Sequence, residues 1–495
     1  MNDDGDDSLR SVRLGKLEAL RALGVEPYPV GFARSDEAGA LEVRYATLAP
    51  GVETGDTVRV AGRIRAIRNS GMFIDLHDAS GKIQVFSHKD YLPETGLATL
   101  RLLDIGDLIG VEGKVRRTPR GELTVNAAAL TVLAKALRPL PEKYHGLADI
   151  ELRYRQRYVD LIVNPQSRET LRRRSGIIAA MRGWLTERGY LEVETPMLHA
   201  IPGGASAKPF VTHHNALDID LYLRIAPELH LKRLMVGGLA EKLFEINRCF
   251  RNEGLSPRHN PEFTSLELYE AFVDYTAMMR LTETLIAHVA ERVTGGSTVT
   301  YGGLPIDLTP PWPRRTMAEL VRDATGIDFM ELDAPTAREA ANALASGSPS
   351  VELGDEAGWG HALELAFALK VEDRLIQPVH VTGFPRDISP LAKADRNDPR
   401  LVERFETYIY GWEIANAFSE LNDPLDQRRR FEAQMQARAA GDEEAQPLDE
   451  DYVAALEYGL PPCGGLGIGI DRLAMLLTDS PSIRDVIAFP TMRPR

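Results

Sequence analysis

Between residues 57 and 135, apolar side chains recur at every second position in five short runs: Thr57 to Ile64, Met72 to Leu76, Lys82 to Phe86, Leu108 to Val115 and Leu123 to Leu130. A period of two belongs to strands with one buried face. Clusters of turn-forming residues, Asn69-Ser70-Gly71, Ala79-Ser80-Gly81 and Pro119-Arg120-Gly121, separate the runs. Five strands in so short a segment suit a closed barrel of the OB type over residues 56–137, with a generic small barrel as the plainer alternative.

The rest of the chain follows another pattern. From Gln166 to Arg188 the apolar positions Leu171, Ile177, Ile178, Met181, Trp184 and Leu185 keep helical spacing, and Gly189 ends the helix. Tyr190 to Thr195 alternates as a strand up to Pro196. Further strands are expected at Leu221 to Ala226, Leu243 to Phe250, Glu262 to Phe272, His380 to Phe384 and Phe405 to Glu420, and helices at 227–240, 274–294 and 425–440. Without a regular β-α repeat, this mixture predicts an α+β domain, an antiparallel sheet with helices packed on it. A chain of 495 residues also exceeds what one core holds. The expected division is a helical extension over 1–55, the barrel over 56–137, a linker over 138–165 that becomes a basic helix, and a large domain over 166–495. The arginines of that linker, Arg153, Arg155 and Arg157, are equally consistent with a solvated charged face.

Composition narrows the setting. The N-terminus is acidic and Leu14, Leu17, Leu20 and Leu23 are helically spaced, which does not suit a signal peptide. No apolar run is long enough for a membrane span. Cys249 and Cys463 cannot supply a disulfide framework or a four-ligand zinc site, so a reducing cytoplasm is expected. A net charge of −14 argues at first against nucleic acid, yet residues 56–135 hold twelve Lys and Arg against nine Asp and Glu.

Three segments concentrate charge and aromatic rings where a core would otherwise be expected. Phe244 to Glu270 is strand, loop and strand, bringing Arg251, Glu253, His259 and Phe263 toward one mouth; arginine suits phosphate and a ring suits a base. In Arg404 to Asp423, Glu406, Glu413 and Glu420 are seven apart, so a straight strand would alternate their faces. A turn near Gly411 would bring Glu406 and Glu413 together as Mg²⁺ ligands; standing alone they would more often be surface glutamates. Gly464 to Leu477 is a glycine-rich turn entering a helix with Arg472 near its start. It fits neither the phosphate-loop nor the dinucleotide glycine pattern.

Taken together, these segments resemble the class II aminoacyl-tRNA synthetases, and within them the lysine branch, from about residue 13 to the C-terminus. YLEVETPML resembles motif 1, FRNEG and RHNPEFTSLELYEA motif 2, and GLGIGIDRLAMLL motif 3. ADIELRYRQRYVDLI, IPGGASAKPF, LRIAPELHLKRL and NAFSELND resemble the lysine branch in particular. The resemblance implies an N-terminal five-stranded OB-fold that binds the anticodon and a catalytic domain with a six-stranded antiparallel sheet flanked by helices. It implies ATP, L-lysine and tRNA(Lys) as partners, Mg²⁺ bound with ATP, a homodimer and no membrane association.

Residue by residue, it implies that Arg251 contacts the α-phosphate and the lysine carboxylate, that Glu253, His259 and Asn260 hold ATP, and that Phe263 and Arg472 sandwich adenine. Glu406 and Glu413 would hold Mg²⁺. Gly204, Glu228 and Glu267 would meet the α-ammonium of lysine, Tyr269 and Glu420 the ε-ammonium, with Asn416 and Phe418 lining the pocket. Phe73, Gln84 and Arg63 would read the anticodon, although IRNSGMFIDL is about two residues shorter than the family's usual loop. Other readings are a relative that hands activated lysine to a protein or lipid, and a regulatory module with a degenerate catalytic domain. The presence of Arg251, Glu406, Glu413 and Arg472 weighs against the latter.

Overall fold

The computed structural model describes residues 3–141, 147, 149–345, 352–354, 356–439 and 447–494. It divides into two compact units, Met1–Ala148 and Asp149–Arg495. Residues 142–146 and 148 of the expected linker, and residue 440 of the helix expected over 425–440, lie outside the described residues.

In the first unit, the helix Asp3–Ala22 precedes five strands: β1 (Glu53–Arg68), β2 (Phe73–His77), β3 (Lys82–Phe86), β4 (Leu108–Arg117) and β5 (Leu123–Ala134). They close into a barrel in the order β1-β2-β3-β5-β4, with β3 and β5 parallel and every other pair antiparallel. The period-two runs explain the closure. Val58, Val60, Ile64, Ile74, Leu76, Ile83, Val85, Ile109, Val111 and Val125 all point inward and are buried. Each such side chain contributes about 1.5–3 kcal/mol when removed from water.

The second unit opens with the short helices Ile150–Arg155 and Arg157–Val163, so the last part of the expected linker is folded into it. Arg157 is 1% exposed and donates to Asp160 and to the carbonyls of Arg484 and Ala488. A chain of arginines that looks like a solvated face thus has one member buried among acceptors. The long helix Pro165–Glu187 follows. Then come β6 (Leu191–Glu192), β7 (Leu198–His199), β8 (Val211–His214), β9 (Ile219–Leu223), β10 (Lys242–Phe250), β11 (Glu262–Ala271), β12 (Thr298–Tyr301), β13 (Leu304–Asp307), β14 (Arg314–Thr316), β15 (Val379–Pro385), β16 (Leu401–Ile409), β17 (Trp412–Ser419) and β18 (Cys463–Gly469).

The main sheet has eight strands, ordered β14-β15-β16-β17-β18-β11-β10-β6. Its central six are antiparallel, as the resemblance implies. The difference lies at the edges, where β14 pairs parallel with β15 and β6 parallel with β10. The strand expected over Tyr190 to Thr195 is only the two residues of β6. The single strand expected from Phe405 to Glu420 is instead two, β16 and β17, joined through Tyr410 and Gly411 at φ 56° and 68°. Glycine enters that conformation without steric cost.

The helix Tyr275–Thr294 packs on the sheet, started by Asp274, whose carboxylate accepts from the amides of Thr276 and Ala277, and stopped at Gly295 with φ 87°. Its buried Met278, Leu285, Ile286 and Val289 join Leu266, Leu268, Leu466 and Ile468 in the core. The opposite face of β11, β17 and β18 is left free to form a site.

Candidate functional site

Residues 263, 265, 267 and 269 alternate with the buried Leu266 and Leu268, so Phe263, Ser265, Glu267 and Tyr269 share the face of β11 turned away from the core. They line a cavity of about 430 Å³. Its floor is β18, where Gly465 and Gly467 stand opposite Tyr269 and Glu267. A Cβ at Gly465 would lie 1.9 Å from Glu420 Oε1 and 2.6 Å from the Tyr269 ring, so the carboxylate can approach only because that position has no side chain. Gly204, with φ 90°, meets Glu228 in the same way: a Cβ there would sit 3.1 Å from the Glu228 Cβ.

Every position that the resemblance assigns to the catalytic unit lines this one cavity. At one end stand Tyr269, Phe418 and Glu420; Gly204, Glu228, Glu267 and Asn416 come next; Arg251, Glu253, His259, Asn260, Phe263, Glu406, Glu413 and Arg472 complete the other. Arg251 follows the last residue of β10, its guanidinium 5.1 Å from the Phe263 ring centre, and its buried Nε has no hydrogen-bond partner among the described residues. Arg472 starts the helix Ile470–Leu477 and donates to the Glu413 carbonyl at 2.7 Å, with the Glu413 carboxylate at 3.3 Å and His259 Nε2 at 3.1 Å. Asp471 beside it accepts from the Thr264 amide at 2.7 Å and from Arg174 at 2.6 Å. This one carboxylate therefore joins the strand β11, the helix Pro165–Glu187 and the helix carrying Arg472.

The turn at Tyr410 and Gly411 folds β17 back along β16, and a bulge between Thr407 and Tyr408 shifts the register so that Glu413 stands opposite Tyr408. Glu406 accepts from Arg404 and from the Tyr408 hydroxyl, both at 2.6 Å. Burial pushes its carboxyl up to about 7, and the neighbouring Glu413 carboxylate adds to the rise. Two carboxylates brought this close offer a divalent cation the oxygen ligands it prefers, so the donor set fits Mg²⁺.

At the far end the charge is denser. Glu420 is 1% exposed and Glu228 7%. Burial holds the carboxyls of Glu267 and Glu420 well above the ordinary carboxylate range, and the Glu228 charge adds to both. Burial acts likewise on the Tyr269 hydroxyl.

On the barrel, Phe73 and Gln84 lie on the outer faces of adjacent strands. The Phe73 ring is 5.2 Å from that of Phe86; His88 stacks on Phe86 at 5.7 Å, and the Arg116 guanidinium lies 4.5 Å above it. Gln84 accepts from the Thr124 hydroxyl at 3.1 Å. Arg63 stands apart: it pairs with His77 at the other end of β2 and donates to the Gly106 carbonyl at 2.7 Å.

Residue-type reasoning missed Arg404, which ties Glu406 to Asn416 by donating to both, and Lys232, which contacts Glu228 and Glu420. Both fall inside segments singled out from the sequence. For Lys232 the available signal was its place four residues after Glu228 on one helix.

The model of the class II tRNA synthetases (D, K and N) matches residues 149–493, and that of the OB-fold nucleic acid binding domain matches residues 58–133. The chain belongs to the class II tRNA synthetases. Among its relatives are the lysine–tRNA ligase of Rhizobium meliloti, 55% identical over 97% of this chain and 96% of that one. That of Moorella thermoacetica is 54% identical over all of both chains. That of Bacillus subtilis is 53% identical over all of this chain and 99% of its own.

Proposed function

We infer that this chain is a lysine–tRNA ligase, which joins L-lysine to AMP at the expense of ATP, releasing pyrophosphate, and then esterifies the 3′ end of tRNA(Lys). The observation that carries the reading is the gathering of Glu228, Glu267, Glu420 and the Tyr269 hydroxyl in the cavity that also holds Arg251 and Arg472. Lysine brings two ammonium groups and one carboxylate, and the cavity offers acid at two places and arginine at a third. An aspartate or asparagine substrate would leave the cavity side of these buried carboxylates without a cation, which rejects a ligand strongly.

Adenylation brings the lysine carboxylate to the α-phosphorus, so two anions must meet. No protein nucleophile is required; the work is alignment and charge neutralisation. Arg251 holds the attacking carboxylate and the α-phosphate. Glu253, His259 and Asn260 orient ATP, Phe263 stacks on adenine, and Arg472 covers its other face and reaches the γ-phosphate. Glu406 and Glu413 would hold Mg²⁺, which when bound screens the phosphate charge. Glu228, Glu267 and the Gly204 backbone take the α-ammonium; Tyr269 and Glu420 take the ε-ammonium, between Asn416 and Phe418.

The deciding experiment is amino-acid-dependent exchange of pyrophosphate into ATP, run with all twenty amino acids with and without Mg²⁺, followed by tRNA charging. Exchange with lysine alone is expected; exchange with another amino acid would overturn the pocket, and no exchange at all would overturn the enzyme.

We further read the barrel face as the anticodon site, with Phe73 stacking on a base and Gln84 bonding another, while Arg63, at the other end of β2, supplies a positive charge outside that contact. Stacking contributes about 1–3 kcal/mol per base, so Phe73→Ala should raise the KM for tRNA by about fivefold to 150-fold. It should leave pyrophosphate exchange untouched. The enzyme acts in the cytoplasm, a reading supported by the buried free thiols of Cys249 and Cys463. Among the described residues no helix is long and apolar enough to cross a membrane. A homodimer is supported by exposed apolar side chains between Leu191 and Ile219, among them Leu198 and Val211, and light scattering should return twice the 54.8 kDa chain mass.

A further inference from the structure

The helix Glu228–Val236 places Lys232 one turn after Glu228, on the same face. Lys232 is fully buried, and its ammonium pairs with both the Glu228 and the Glu420 carboxylates. The Phe418 and Tyr269 ring centres are 5.3 Å and 6.0 Å away. Glu228 and Glu420 line the cavity whereas Lys232 does not, so the ammonium lies behind the wall that they form. An interior ammonium is costly to desolvate, so its place here depends on the two carboxylates beside it.

We propose that Lys232 is a positioning residue that sets side-chain specificity: from behind the pocket wall it favours the charged form of the Glu420 carboxylate and fixes it, leaving its cavity side for the ammonium of the substrate. The inference rests on the assignment of Glu420 to the ε-ammonium.

The groups that face Glu420 make Lys232 the decisive one. Glu228 on its own helix, Tyr269 on β11, Tyr452 on the helix Glu450–Glu457 and Cys463 on β18 are anionic or neutral. Lys393 acts on Cys463 but is engaged with Asn422 at 2.8 Å. Neither Glu420 side-chain oxygen has a well-formed hydrogen bond among the described residues, so ion pairing is its main support. Burial pushes the Glu420 carboxyl up to about 8 and Lys232 opposes that rise. That value holds with Lys232 in place, so removing the ammonium moves ionisation of the carboxyl further up, beyond pH 8, and a neutral acid no longer favours an ammonium over a methyl group.

The test compares Lys232→Met and Lys232→Arg with the unaltered chain, measuring pyrophosphate exchange with lysine and with norleucine from pH 6.5 to 9.5. For Lys232→Met the lysine KM near pH 7 should rise about a hundredfold, the ATP KM should hold within about twofold, and the preference for lysine over norleucine should fall at least about tenfold. That deficit should shrink as pH rises, and Lys232→Arg should recover most of the preference. Equal losses in both variants, parallel losses for lysine and norleucine, or an unchanged pH profile would overturn the proposal. If neither variant folds, the unaltered chain decides: kcat/KM for lysine should climb as pH rises toward 8 while that for norleucine falls, and two flat profiles would overturn it. Glu420→Gln separates the layers. A normal lysine KM there removes the pocket assignment itself, whereas a large effect there with none in Lys232→Met removes only the role of Lys232.

Discussion

Glu420→Gln should raise the KM for lysine by two to three orders of magnitude while the KM for ATP stays within about twofold. The side chain is 1% exposed, so its charge is not shared with solvent, and the substitution keeps its size while removing its charge. Breaking a buried ion pair costs about 3–5 kcal/mol, and each 1.36 kcal/mol is a factor of ten. The ATP end of the cavity is lined by Arg251, Phe263, Glu413 and Arg472, none of which touches Glu420, so the effect should stay confined to one substrate. Steady-state exchange at varied lysine and fixed ATP, then the converse, separates the two constants. A lysine KM within threefold of normal, as an order-of-magnitude limit, would remove the residue from the pocket.

Arg251→Ala should act on the chemical step instead. The guanidinium follows the last residue of β10 with its Nε uncommitted, and the neighbouring Phe263 ring limits where it can lie. Removing one preorganised donor that meets developing charge costs about 10²–10³ in kcat. The variant should therefore bind lysine and ATP with small changes and exchange pyrophosphate about a hundredfold to a thousandfold more slowly. Arg251→Lys should restore only part of this, because a point charge cannot bridge a carboxylate and a phosphate as a planar fork does. Loss of binding with an unchanged maximal rate would assign Arg251 to ground-state attraction alone.

Local pattern carried much of the architecture. The barrel strands have a period of two because only one face is buried, and β2 and β3 lie where the alternation places them. The edge strand β14, of three residues, is too short to carry a period, and β6 keeps only two residues of the alternating run Tyr190 to Thr195; the pairing of these two short edges makes the sheet wider than expected. The carboxylates of Glu406 and Glu413 illustrate a different limit. Their odd spacing is compatible with one face only if the chain reverses, and the reversal depends on Gly411 and on a bulge that no residue type announces. Lys232 marks a third. Its helical spacing from Glu228 was visible, but its second partner, Glu420, lies 188 positions along the chain and meets it only through the sheet. Arg157 was legible as a charge and illegible as a buried one, since its acceptors are carbonyls near the C-terminus.

Phe263, Glu267 and Tyr269 come from alternate positions of a single strand, hydrogen-bonded on both sides to β10 and β18. Spacing between the adenine end and the amino-acid end is thus graduated by the backbone, at about 6.8 Å for every second residue. A deletion or insertion of one residue within β11 would turn every such side chain on one side of the change into the core. The pocket can consequently be altered through time by exchanging side chains, but never by changing the length of the strand. Divergence of substrate choice on this frame is confined to substitution, while insertions are left to the loops.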